Sequence, residues 1–120
     1  MLDQTPINRE ALYSLLAAVG SDLEFLAELL AEYFRDSPAQ LQNLAAALSS
    51  NDAEAFRRAA HSLKSNSANF GALALSGRFK KLEDMGKSGN LEGADSLVTQ
   101  ADAEYQQVKI ALEAVLKEMS

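Results

Sequence analysis

Apolar side chains recur every three or four residues along nearly the whole chain, which is the period of an α-helix. Leu12, Leu15, Leu16 and Val19 form one side of a short first segment, with Asn8 as its N-cap and Gly20 as its stop. Ser21 with Glu24 reads as a capping box for a second helix carrying Leu23, Leu26, Leu30 and Phe34. Ser37 and Pro38, with Gln40 as a further box partner, leave two options for Leu41, Leu44, Ala45 and Leu48. They belong to a new helix, or to the same helix kinked at Pro38. Asn51 with Glu54 makes another box-like start, before a stripe of Phe56, Ala59, Ala60, Leu63, Ser67 and Phe70 that Gly71 ends. Leu73, Leu75, Phe79 and Leu82 follow and run into the turn Gly86-Lys87-Ser88-Gly89. Asn90 opens the last helix, whose stripe is Ala94, Leu97, Val98, Ala101, Tyr105, Val108, Leu112, Val115 and Leu116. No alternating run of β-branched residues competes with this pattern. Short loops between long amphipathic helices make neighbours antiparallel. The expected fold is all-α: an antiparallel four-helix bundle with an additional short N-terminal helix.

Composition narrows the function. A chain of 120 residues is one domain, here taken as 1–120, with one core. It has no cysteine, so disulfides, thiolate metal sites and cysteine nucleophiles are excluded, in keeping with a reducing, cytoplasmic setting. The formal net charge of -6 argues against nucleic acid or an anionic membrane as the main partner. No apolar run approaches the roughly 18 to 20 residues of a membrane span. The N-terminal MLDQTPINRE lacks the basic-then-apolar order of a signal peptide.

The chemistry concentrates in RRAAHSLKSNSANFGALALSG, residues 57–77, which holds the only histidine. At about 100° per residue, His61 lies about 140° from the centre of the Phe56–Leu63–Ser67 stripe, on the solvent side. On the same side lie Lys64 at about 80°, Arg57 at about 100°, Ala68 at about 120° and Ser65 at about 180°. An exposed histidine beside a lysine is, on the plain reading, a solvated surface residue. Three features favour more. The apolar stripe does not need it, short side chains leave the ring open to a partner, and with no second histidine and no cysteine it is not part of a metal site.

The stretch AHSLKSNSANFGA, Ala60 to Ala72, resembles the histidine-containing phosphotransfer (HPt) domain of bacterial phosphorelays. Ala60, His61, Leu63, Lys64, Ser67, Ala68, Gly71, Ala72, Leu75 and the pair Leu82-Glu83 match that family's pattern, whereas Ser65 stands where the family usually has glycine. SDLEFLAELLAEYFRDSPAQLQNL and the spacing of Glu104, Tyr105, Val108 and Leu112 are similar to the family as well.

The resemblance implies a four-helix bundle that accepts a phosphoryl group on a histidine from a receiver-domain phospho-aspartate and passes it to another receiver aspartate. It makes His61 the phospho-acceptor and Lys64 the cation that offsets phosphoryl charge. Glu83 occupies the position of the Gln or Glu that orients the histidine ring. The plain alternative is that Glu83 is a surface carboxylate beside Lys80, Lys81 or Lys87. Ser65 and Ala68 would form a docking floor, with the Ser65 hydroxyl able to donate to a phosphoryl oxygen. Arg57 would steer the partner, although Arg57 and Arg58 read equally as a solvated face. Implied partners are response-regulator receiver domains, a hybrid sensor histidine kinase, or both, met by a monomer. The chain would hold no metal or cofactor, and Mg²⁺ would sit on the receiver. No G-x-x-x-x-G-K-[ST] motif occurs, so this is a carrier more than an enzyme. The competing reading is an unphosphorylated helical-bundle adaptor that binds a partner through one face.

Overall fold

The computed structural model describes residues 6–120, so the first five positions of the expected domain lie outside the described residues. Five helices follow one another: α1 Arg9–Ala18, α2 Leu23–Ser49, α3 Ala53–Asn69, α4 Leu73–Ser88 and α5 Ala94–Met119. No strand occurs among the described residues. α3 packs most extensively on α4. α2 packs on α3 and α5, α4 packs on α5, and α1 leans on α2.

The starts of α1, α2 and α3 follow side-chain capping, one residue later than two of the expected boxes. Asn8 does cap α1, its side chain accepting from Ala11 N at 3.1 Å. For α2 the cap is Asp22 rather than Ser21, accepting from Phe25 N at 3.0 Å. For α3 it is Asp52 rather than Asn51, accepting from Ala55 N at 3.0 Å. The reason is backbone conformation. Ser21 (φ 58°) and Asn51 (φ 56°) take the left-handed region to reverse the chain, while an N-cap needs an extended backbone.

α2 runs unbroken through Pro38, which settles the choice between kink and restart. The proline removes one intrahelical hydrogen bond, the one to the carbonyl of Phe34. Packing on both sides of it holds the helix, through buried Leu30, Tyr33, Ser37 and Leu44. Gly86, Lys87 and Ser88 are the last turn of α4 rather than a loop. The turn begins at Gly89 (φ 79°), and α5 starts after Gly93 (φ 83°) instead of at Asn90. Asn90 instead folds the connection, accepting from Glu92 N at 3.0 Å, and the buried Leu91 pins it.

The core matches the apolar stripes closely: Leu12, Leu26, Leu30, Leu44, Phe56, Leu63, Leu75, Phe79, Leu82, Tyr105, Val108 and Leu112 are all buried. Burying one such side chain is worth about 1.5–3 kcal/mol. Leu73, 51% exposed at the first turn of α4, and the exposed Ala45 of α2 are exceptions. Tyr33 joins three helices: its ring lies 5.1 Å from Phe70 and 5.8 Å from Tyr105, and its hydroxyl is 2.8 Å from Ser67 Oγ. Gly71 (φ 79°) ends α3 and accepts from Asn8 N at 2.7 Å, which fastens α1 to the α3–α4 turn. No helix among the described residues is long and apolar enough to cross a membrane.

Candidate functional site

His61 projects from the solvent side of α3, its side chain 54% exposed. Its Nδ1 lies 2.8 Å from Oε2 of Glu83 on α4. Glu83 is not a surface carboxylate: it is buried, and its other oxygen accepts from Lys64 Nζ at 2.7 Å. Lys87, one turn further along α4, brings a second ammonium to 3.8 Å from Oε2. One carboxylate thus joins the histidine, a buried position and two cations.

The hydrogen bond from Lys64 is the main reason that the Glu83 carboxyl is held far below the ordinary carboxylate range, at about 2. The His61 bond and the charges of Lys64 and Lys87 act in the same direction, and burial opposes them. Glu83 is therefore ionised throughout the neutral range. An ionised carboxylate only accepts hydrogen bonds, so the proton between it and His61 belongs to Nδ1. In the neutral ring this places the lone pair on Nε2, which has no hydrogen-bond partner among the described residues. The result is an aimed imidazole with a nucleophilic nitrogen on its exposed side.

Two further contacts fix the spacing of the helices here. Ser76 Oγ donates to the backbone carbonyl of Lys64 at 2.9 Å. Gly86, one turn from Glu83, lies against the backbone of Arg57, one turn from His61. A Cβ at Gly86 would fall 2.8 Å from Arg57 Cβ and 2.9 Å from its Cα.

The Hpt domain family matches residues 28–117, three quarters of the chain. The chain belongs to the Hpt domain family. It is also similar to a solved structure, histidine-containing phosphotransfer protein B (HptB) from Pseudomonas aeruginosa PAO1. The two share 32% identity and superpose with a TM-score of 0.86, over 97% of this chain and 98% of that one. No curated protein sequence matches. The function is that of a phosphorelay carrier. Hpt domains generally work with receiver domains and kinases in such relays.

In this Hpt domain the other residues singled out in the sequence fall into two groups. Ser65 and Ala68 are exposed on the same outward face of α3 as His61. Arg57 is turned aside: its guanidinium grips Glu54 through Nε at 2.9 Å and Nη2 at 2.7 Å, and its backbone meets Gly86. Two residues of the site escaped the sequence reading, namely Ser76 and Gly86. Lys87, named there only as a surface neighbour of Glu83, sits four residues after it, the spacing of one helical turn. Reading Gly86–Gly89 as a loop hid the glycine's packing. Among the described residues no group of three or more His, Asp or Glu side chains converges on a metal-sized space.

Proposed function

We propose that His61 carries the phosphoryl group on Nε2, with Glu83 orienting the ring and Lys64 balancing charge. The supporting observation is the 2.8 Å contact between His61 Nδ1 and the buried, ionised Glu83, which leaves the opposite nitrogen exposed. In this reading the Nε2 lone pair attacks the phosphorus of a receiver's acyl phosphate. The P–N bond forms, the P–O bond to the aspartate breaks, and the aspartate departs as a carboxylate. The phosphorylated ring is cationic while Nδ1 keeps its proton, and Glu83 compensates that charge. Lys64 gives one of its three N–H donors to Glu83 and has two more for phosphoryl oxygens. Attack on Nε2-phosphohistidine by a second receiver's aspartate reverses the step.

The chain supplies an aimed nucleophile and local charge balance, and positioning does the rest. The Mg²⁺ of the reaction belongs on the receiver. We read the ring of α2, α3, α4 and α5 as an antiparallel four-helix bundle, with α1 as an accessory helix. Connections of three residues after α2 and α3 and five after α4 support this reading. The domain works as a monomer in the cytoplasm, with Ser65 and Ala68 as the floor on which a receiver rests. An adaptor that only docks has no use for a carboxylate buried beneath a histidine.

The test is incubation with a phosphorylated receiver. Label is expected on this chain as an acid-labile, base-stable phosphoryl group, absent from His61→Gln. Label retained in the variant assigns the acceptor to another residue.

A further inference from the structure

The charge of this Hpt domain is not spread evenly. Residues 53–88, which form α3 and α4, contain seven Lys and Arg against three Asp and Glu, and the rest of the chain has four against fourteen. A protein of net charge -6 therefore presents His61 from a segment of charge +4. The local acids do not cancel the cations. Glu54 is shared between Arg57 at 2.7 Å and Arg58 at 3.6 Å, and Glu83 between Lys64 at 2.7 Å and Lys87 at 3.8 Å, while Asp84 pairs with Lys80 at 2.7 Å and Arg78 with Glu104 of α5. Lys81, exposed on the flank of α4 away from Glu83, has no ion pair among the described residues. Arg58 is 64% exposed and one helical turn before His61.

The opposite sign is equally organised. Glu24, Glu28, Glu32 and Asp36 repeat every fourth residue along α2 and are all exposed. Like charges one turn apart weaken a helix by a few tenths of a kcal/mol per pair, so the stripe is not there for helix stability. Arg35 answers only two of them, Glu32 at 3.9 Å and Asp36 at 3.5 Å.

We infer that this charge separation steers the encounter: the domain selects receivers whose rim around the phosphorylated aspartate is acidic, drawing them to the α3–α4 face and repelling them from α2. The inference rests on the carrier role of His61 proposed above. The physical basis is long-range. A basic face on an acidic body gives a molecular dipole, which orients an acidic partner before contact and raises its association rate. The phosphoryl group on the donor adds charge of the same sign. Arg58 and Lys81 act through this field and not through the transferred group. The acidic remainder of the surface disfavours an extended polyanion, such as nucleic acid, which would overhang the basic face.

The experiment compares the wild type with Arg58→Glu/Lys81→Glu, using isolated receiver domains from the same genome. Association is followed by stopped-flow fluorescence of a labelled receiver, and transfer is followed separately by phosphoryl label at saturating receiver. At low salt the double variant should associate about tenfold more slowly with acidic-rimmed receivers. That gap should close toward about 1 M salt, where the Debye length is only about 3 Å. The saturating transfer rate should not change, and the melting temperature should fall only slightly, since Arg58→Glu replaces the attraction to Glu54 with a like-charge repulsion one turn apart. Equal association rates at low salt overturn the inference. So does a deficit that persists at high salt or appears in the saturating rate, because the cations would then act within the docked complex. Binding of duplex DNA at about 150 mM salt would overturn the choice of partner. Failure of the carrier reading looks different: no label on wild-type His61, whatever the association kinetics.

Discussion

Gly86 meets the backbone of Arg57 with no room for a methyl group between them, since a Cβ would come within 2.8 Å of Arg57 Cβ. This contact sets the distance between α3 and α4 one turn from the His61–Glu83 pair. Gly86→Ala should force the helices apart, because the obstructing atoms include backbone and cannot swing away. The expected loss is about 1–3 kcal/mol, typical of overpacking, less the gain in helix propensity of alanine over glycine. Phosphoryl transfer should slow as well, because the Nδ1–Glu83 bond lengthens. Urea unfolding together with a transfer time course checks both, and wild-type values in both would remove Gly86 from the role of spacer.

Glu83 makes stability depend on acid. Its folded pKa is depressed, from an ordinary 4.5 to about 2. A depressed carboxyl contributes stability above its unfolded pKa and loses it as pH falls through the folded one. The contribution should therefore be complete above about pH 5, decline below about 4.5, and be gone near 2. Glu83→Gln cannot titrate, so its urea midpoint should fall less steeply than that of the wild type across this window. Parallel curves for the two proteins would count against the assignment. At neutral pH the same variant should transfer more slowly but still measurably, since Gln can accept from Nδ1 without compensating the charge of the phosphorylated ring.

The helices were legible because their stripes are regular: Phe56, Leu63 and Ser67 are buried and His61 is exposed, as a period of 3.6 residues requires. The ends were less so. Ser21 and Asn51 are good capping residues by type, yet both take left-handed backbone to close the preceding turn, and the neighbouring aspartates do the capping. Which residues compete for one turn is settled by tertiary packing, not by propensity. At the site, His61, Lys64 and Glu83 could be named from their pattern, but the burial of Glu83 could not. That burial depends on how α4 rotates against α3, and Gly86 and Ser76 help to set the approach of the two helices. A glycine in a helical turn and a serine beneath a carbonyl carry no sequence mark of such a role.

Two buried tyrosines should respond oppositely to the loss of a hydroxyl. Tyr33 Oη is hydrogen-bonded to the buried Ser67 at 2.8 Å, so Tyr33→Phe strands the serine and should cost about 1–2 kcal/mol. Tyr105 Oη is buried without a hydrogen-bond partner among the described residues; Ser37 lies near enough to temper its raised pKa but not in bonding geometry. Tyr105→Phe should therefore be neutral or stabilising by up to about 1 kcal/mol. Differential scanning calorimetry of the two variants decides, and equal losses would mean that Tyr105 does have a partner in solution.

Lys64 has two separable tasks, and variants can divide them. As the first donor to Glu83, it keeps that buried carboxylate ionised. As a cation one turn from His61, it offsets the charge of the phosphoryl group. Lys64→Met removes both while keeping an apolar stem of similar length. It should destabilise the fold by about 1–3 kcal/mol, through the half-satisfied buried carboxylate, and it should slow transfer. In Lys64→Met/Glu83→Gln no buried charge is left unbalanced, so stability should largely return. Transfer should not, because the phosphoryl oxygens still lack their cation. A double-mutant cycle run on both unfolding and transfer reads the difference. If transfer recovered along with stability, the effect of Lys64 on the reaction would be structural alone, and its place beside the phosphoryl group would have to be given up.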